Sequence, residues 1–344
     1  MPYSVVDKPS KYFNTSLWTG NDSTQSLSSF GFSPDLVWIK TRTGTQYHGL
    51  FDTIRGALVS LQSNTTTGDQ TFSNSLTSFD SDGFTLGLND NFNWSTKTYV
   101  GWSWRGSDSS AVSNTSGSIT STVSANTTSG FSIVSYTGNG TAGATVGHGL
   151  GAVPKMIIVK NRSADANWKI YHVSMGATKA TVFGTVGAET EIYPWNNTSP
   201  TSSVFSLGTT PETNSNGASI IAYCFADVKG YSKAFSYTGN GSTDGSFIYC
   251  GFLPSFVLLK RTDSAGFNWV IHDNKRDINN PDSAYLHPNT SGSESTDRDI
   301  DLLSNGFKMR NSNTTWNASG GTYIGIAFAE NPFVSSKGIP ACAR

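Results

Sequence analysis

Three short apolar runs along the chain each close on a lysine: LVWIK (36–40), MIIVK (156–160) and FVLLK (256–260). Continuous runs of bulky and β-branched residues, bounded by Gly and Pro, predict central β-strands buried on both faces. Pro34, Pro154 and Pro254 each precede the lysine by six residues. Proline fixes φ and donates nothing to a ladder, so each is expected at its strand's first residue. Lys40, Lys160 and Lys260 are expected to end their strands at solvent, stems lying on apolar surface. An aromatic-rich strand follows each run (YHGLFD, WKIYH, WVIHD). A second apolar strand (YVGWSW, IIAYCF, YIGIAF) then starts six residues after Asn93, Asn214 and Asn317. Gly-Phe in SDGFTLGL and SNGFKMR opens a further strand from a turn. Helical periodicity is scarce, and its best candidate, DTIRGALVSL (52–61), is about three turns long.

These landmarks recur in one order. SYTGNG stands at 135–140 and 236–241, with a cousin, LWTGND, at 17–22. From Trp18, Tyr136 and Tyr237 to the prolines is 16, 18 and 17 residues, and from the prolines to the asparagines 59, 60 and 63. Similar loops arising by chance do not hold register over such distances, so the module is triplicated. A period of about 100 residues exceeds a solenoid unit and suits a whole β-domain. Roughly six to eight short strands per copy match a sandwich or jelly roll. The expectation is an all-β protein of three tandem antiparallel β-sandwich domains. Residues 1–108 form the first repeat with an N-terminal arm, 109–130 a Ser/Thr-rich linker whose alternating Val and Ile also fit an edge strand, 131–230 the second repeat, and 231–344 the third with a C-terminal arm. The second and third run together without a spacer and are expected to pack closely, with the first sitting apart.

Composition supports this. Charged residues are 14% and apolar residues 36%, the balance being Ser, Thr, Asn and Gly, which form turns and β-edges and disfavour helix. Aromatic residues at 12% argue against disorder. The net charge is −1, with Lys and Arg scattered singly, so no basic stripe for nucleic acid is present. No apolar run is long enough to cross a bilayer. The opening MPYSVVDKPSKYFN lacks signal-peptide character, so synthesis in a cytoplasm is expected.

Candidate chemistry is sparse. Cys224, Cys250 and Cys342 have neither zinc-site nor disulfide spacing and are expected as small core residues. His172 and His272 fall at matching places on the aromatic strand, where a strand-end histidine bonded to a turn is expected, no HExxH or carboxylate cluster accompanying them. The acids of DINNPDSAY and STDRDIDLL are read as loop charges rather than a glycosidase pair. GNGTAGATVGHG is not a phosphate loop, GLNDNFNWS lacks a calcium-loop register, and the Asn-x-Ser/Thr triplets follow from composition. No enzyme, cofactor or metal is expected. Trp94, Trp195 and Trp316 stand in polar, turn-like sequence, and are candidate contacts for a glycan ring or another subunit.

KYFNTSLWTGNDS…GFSPDLVWIKTRT…YVGWSWRG resembles a repeated β-module of structural proteins of marine tailed bacteriophages, and FADVKGYSKAFSYTGNG…GFLPSFVLLKRTD…YIGIAFAENPFVSSKGIPACAR resembles its final copy. The resemblance implies concanavalin-lectin-like sandwiches and a place on the virion surface, and brings no catalytic residues. It implies a structural protein displayed outside the particle as capsid decoration, head fibre, tail fibre or compact tail appendage. The expected partners are other virion proteins, further copies in a homo-oligomer, and a host-surface glycan. The alternative is a carbohydrate-binding receptor-recognition module. The second copy departs most, in its longer turn before the lysine strand and in SSVFSLGTTPET.

Overall fold

The lysine-ended runs form interior strands, Leu36–Thr41, Pro154–Asn161 and Phe252–Arg261, almost wholly buried as their composition predicts. The computed structural model describes residues 4–107, 109–185, 187, 193–334 and 337–340, an all-β protein of several antiparallel sheets. The rest of the two expected arms and Cys342 lie outside the described residues. Pro154 opens its strand, Pro34 stands two residues ahead of its own, and Pro254 sits inside at a break in register, one of the few sheet positions a missing N–H permits.

One strand order recurs. In the first segment the main sheet runs Phe13–Thr19, Thr98–Trp104, Leu36–Thr41, Gly49–Asp52. In the second it runs Phe131–Thr137, Ser219–Ala226, Pro154–Asn161, Lys169–His172, and in the third Ser232–Thr238, Thr322–Pro332, Phe252–Arg261, Val270–Asp273. The stretch 109–130 is structured. Its strands Val112–Asn114 and Ser121–Asn126 extend the second sheet at its edge, as the alternating Val and Ile allow. The helix proposed over 52–61 is absent. Asp52 Oδ1 accepts from the N–H groups of Ile54 and Arg55 at 3.1 and 2.9 Å, and Leu58 has φ 68°, so the chain turns instead of winding.

Alternation along each strand splits the apolar side chains between two cores. Outward-facing residues such as Val37, Ile220 and Tyr323 pack within their own segment, under short outer sheets that include the Gly-Phe strands Gly83–Leu86 and Gly306–Met309. The other faces meet on one axis. Trp104, Phe225 and Phe328 hold equivalent registers, opposite Leu36, Met156 and Phe256, and their rings form a triangle with centroid separations of 6.4, 5.7 and 5.8 Å. Further along the axis Phe183 contacts the rings of Trp38, Trp168 and Trp269 at 5.7, 5.7 and 5.4 Å. The first segment therefore does not sit apart. A face this apolar on all three sheets is covered only when the three close around it.

Candidate functional site: seams and loop end

The repeated asparagines are staples. Asn93 Oδ1 accepts from Asn21 N at 3.2 Å, while its Nδ2 donates to Ser23 O and Gly87 O at 2.6 and 3.1 Å. Asn214 does the same to Asn139 N, Thr141 O and Gly208 O, and Asn317 to Asn240 N, Ser242 O and Asn311 O. A buried amide with donor and acceptor both used thus ties each TGN loop to the loop before the last strand. Gly20, Gly138 and Gly239 are needed for this approach, since a Cβ would strike the carbonyl oxygens of Trp94, Ser215 and Ala318. The three TGN loops thus share one anchoring scheme.

The three lysines are buried, contrary to the solvent-facing expectation. The strand's last carbonyl, the hairpin that folds back after it and, at Lys160, Thr66 of the first segment supply carbonyls to the ammonium. Lys40 donates to Thr41 O and Gly44 O at 2.8 and 3.1 Å, Lys160 to Thr66 O, Asn161 O and Ala166 O at 2.8, 3.0 and 2.9 Å, and Lys260 to Phe267 O. Burial pushes Lys40 down to about 7 and Lys160 and Lys260 to about 8.

Three seams join the segments cyclically, with matching bonds. Trp168 Nε1 donates to Gln62 O at 3.0 Å, Trp269 Nε1 to Val182 O at 2.7 Å, and His48, at the corresponding place, contacts His287 O through Nε2 at 3.1 Å. His48 Nδ1 accepts from Trp38 Nε1 at 2.9 Å, so Nε2 carries the proton. At the ends of Gly49–Asp52, Lys169–His172 and Val270–Asp273 a polar side chain crosses the seam. Asp52 accepts from Tyr223 Oη at 2.8 Å, and Asp273 from Trp102 Nε1 at 2.9 Å. Both carboxylates hold a buried arginine three residues on, Arg55 at 2.6 Å and Arg276 at 2.5 Å. Burial raises Asp273, and the Arg276 charge and hydrogen bonds more than reverse this, leaving it below the usual carboxylate value.

The second segment changes the whole set together. His172 replaces the aspartate, Met175 the arginine and Ile326 the aromatic donor across the seam. His172 Nδ1 accepts from Ser174 N at 3.2 Å and Nε2 donates to Gly325 O at 3.1 Å. A backbone carbonyl now takes the bond, so the facing side chain is free to be apolar and no cation is needed. Burial lowers the imidazole to about 4.

His172 and His272 are not equivalent. His172 pairs with Met156 in the register of Asp273 with Phe256, whereas His272 pairs with Val257 and faces the opposite way. It packs on Trp316 and Tyr285, 3.4 Å from Asp282. One residue of slip in a strand reverses the face, which loop-to-loop counting cannot detect.

Of the three candidate tryptophans, Trp195 and Trp316 are 1% and 0% exposed. Trp195 packs edge-on to Tyr171, and Trp316 holds the inward place that Phe92 fills in the first segment. Neither offers a ring face, because Asn317 folds the polar sequence around Trp316 inward. Trp94, on the other side of the stapling asparagine, is 41% exposed, with Lys97 Nζ 5.4 Å from its ring. It lies at the loop end, where Thr19 pairs with Thr98. No group of three or more His, Cys, Asp or Glu side chains able to hold a metal occurs among the described residues.

A family profile described as Domain of unknown function (DUF7483) matches residues 8–332, and the chain belongs to that family. No curated protein and no solved structure matches the chain.

Proposed function

For this member of the DUF7483 family we propose a non-enzymatic structural role on the exterior of a tailed-bacteriophage particle, as capsid decoration, head fibre or compact tail-appendage subunit. We take the three segments to be tandem copies of one concanavalin-like sandwich of about 100 residues that have grown together around a shared core. The observation that carries the reading is the polarity of the body. Residues 4–6 and 333 sit at the Trp104/Phe225/Phe328 end, where Ser4 Oγ donates to Lys229 O at 3.2 Å, Val6 enters the axial core, and Phe333 N donates to Gly251 O at 3.3 Å. The TGN loops and lysine hairpins occupy the other end. Such a body docks by one end and displays the other. The repeated asparagines, lysines and seam residues all serve cohesion, which suits a part whose described cysteines, Cys224 and Cys250, are both free. Other virion proteins and further copies of this chain are the proposed partners.

Imaging purified particles by single-particle averaging, with and without the gene, tests this. Extra density of this size on the capsid or tail surface is expected. Particles whose density and composition do not change on deletion refute it.

A second reading, attachment to a host-surface glycan, is favoured by the exposure of Trp94 at the displayed end. On that reading Trp94→Ala abolishes cell binding while incorporation into particles persists. Unchanged cell binding counts against it.

A further inference from the structure

Two seams carry a cationic–anionic–cationic bridge, and the other carries a groove. Between the first and second segments Arg55 and Arg162 share Asp69 at 3.5 and 2.8 Å. Between the third and first, Arg276 and Arg42 share Glu294 at 3.2 and 2.7 Å. Between the second and third, Met175 stands where Arg55 and Arg276 stand, and Thr262 where Arg162 and Arg42 stand. Thr185 O accepts from Gly266 N at 2.7 Å, as Thr66 O does from Ala166 N at 2.8 Å. That offset puts Ala188 at the sequence position of Asp69; it lies outside the described residues. Both arginines of the bridge are thus replaced together by uncharged residues, Met175 and Thr262.

Among the described residues a groove of about 590 Å³ runs along this seam, within the range of small-ligand sites. Ser174, Met175 and Lys179 line one wall, and Ser236, Thr262 and Ile324 the other. At the first seam Arg162 reaches over the corresponding hydroxyl, Ser135 Oγ, at 3.4 Å, whereas Thr262 is too short to cover Ser236. The charges at the rim are unequal. Asp263 is already occupied by Arg261 Nε and Nη2 at 2.9 and 3.0 Å and by Thr322 N at 3.0 Å. Lys179 is exposed and has no ion-pair partner among the described residues.

We propose that this groove binds a saccharide bearing an anionic group. Met175 and Ile324 cover the C–H face of a sugar ring, the Ser and Thr hydroxyls exchange hydrogen bonds with its hydroxyls, and Lys179 takes the carboxylate or sulfate. A polyol matches hydroxyl-bearing walls with apolar Met175 and Ile324 between them, and an ammonium with no ion-pair partner among the described residues matches one negative charge. The inference rests on the attachment reading in asking for a glycan, and places it at a seam instead of at Trp94.

The test uses the full chain on an array of neutral, carboxylated and sulfated oligosaccharides, then calorimetric titration of the best ligand. Acidic saccharides are expected to outbind their neutral counterparts, and the carboxylated and sulfated arms identify the anion. Thr262→Glu, which puts a longer side chain of the anion's own sign into the groove, and Ser236→Tyr, from the same wall, should each weaken binding about tenfold or more with the melting temperature held. Lys179→Gln should erase the acidic preference, and Trp94→Ala should change nothing. No binding to any oligosaccharide overturns the proposal, as does binding that survives both blocking variants. Binding lost only with Trp94→Ala overturns it while sparing the attachment reading.

Discussion

At the first seam Arg55→Met copies what the second segment has naturally at Met175, but leaves Asp52 in place. Asp52 and Arg55 are both fully buried and 2.6 Å apart. Removing one partner of such a pair strands the other charge, at a cost of about 3–5 kcal/mol. Three donors remain on Asp52, from Ile54 N, Arg55 N and Tyr223 Oη at 3.1, 2.9 and 2.8 Å. They hold the loss toward the lower figure. Leu50 O loses its guanidinium donor at 2.7 Å, which acts the other way. Asp52→His alone strands Arg55 by about 3 kcal/mol, and Tyr223→Ile alone removes one donor and packing for about 2 kcal/mol. Independent effects would put the triple variant about 9 kcal/mol down. Reconstituting the His–Met–Ile set of the second seam should instead leave it within about 3 kcal/mol of wild type, because no buried charge survives. Guanidinium unfolding followed by fluorescence and far-UV circular dichroism measures this, and the shared axial core predicts coincident transitions. Arg55→Met costing under about 1 kcal/mol, or a triple variant as unstable as the sum of its parts, refutes the reasoning.

Acid should weaken the second seam. The folded His172 titrates at about 4 against about 6.5 unfolded. Between those values the unfolded chain holds the extra proton, so stability is full above pH 6.5 and is lost as pH falls toward 4, by about 3 kcal/mol in all. His172→Gln should flatten that part of the stability–pH profile, and an unchanged slope would show that His172 does not govern it. Asn93→Ala should cost about 2–3 kcal/mol, since it leaves Asn21 N, Ser23 O and Gly87 O without their partner. A thermal melt within a degree of wild type would mean the staple is not needed.

Much of the fold was legible because strands announce themselves locally. Runs such as FVLL, the Gly-Phe openings and the Val/Ile alternation before residue 130 depend only on neighbours along the chain. The recurrence of TGN, proline, lysine and asparagine is read by comparing the chain with itself and needs no fold. The candidate site was far less so. Trp316 and Trp94 both flank a stapling asparagine in polar sequence, yet one is core and the other surface. Facing depends on register, and a single step inverts it. The buried lysines misled for a related reason, their acceptors being backbone carbonyls that carry no sequence signal. Arg55 and Tyr223 were missed, as was the seam role of Asp52, although the joint exchange of Asp-x-x-Arg for His-x-x-Met between copies could have marked them.

By itself the chain determined that it is all-β and that one pattern is written three times, because strand formation depends on residues a few places apart and a repeat is visible when the sequence is laid against itself. Only the tertiary structure decided that the three sheets close around Trp104, Phe225 and Phe328, and that, among the described residues, one seam lacks the ion bridge of the other two. Those features join residues of different segments, far apart in the chain, whose meeting is selected by burying a common apolar face and pairing charges at the seams.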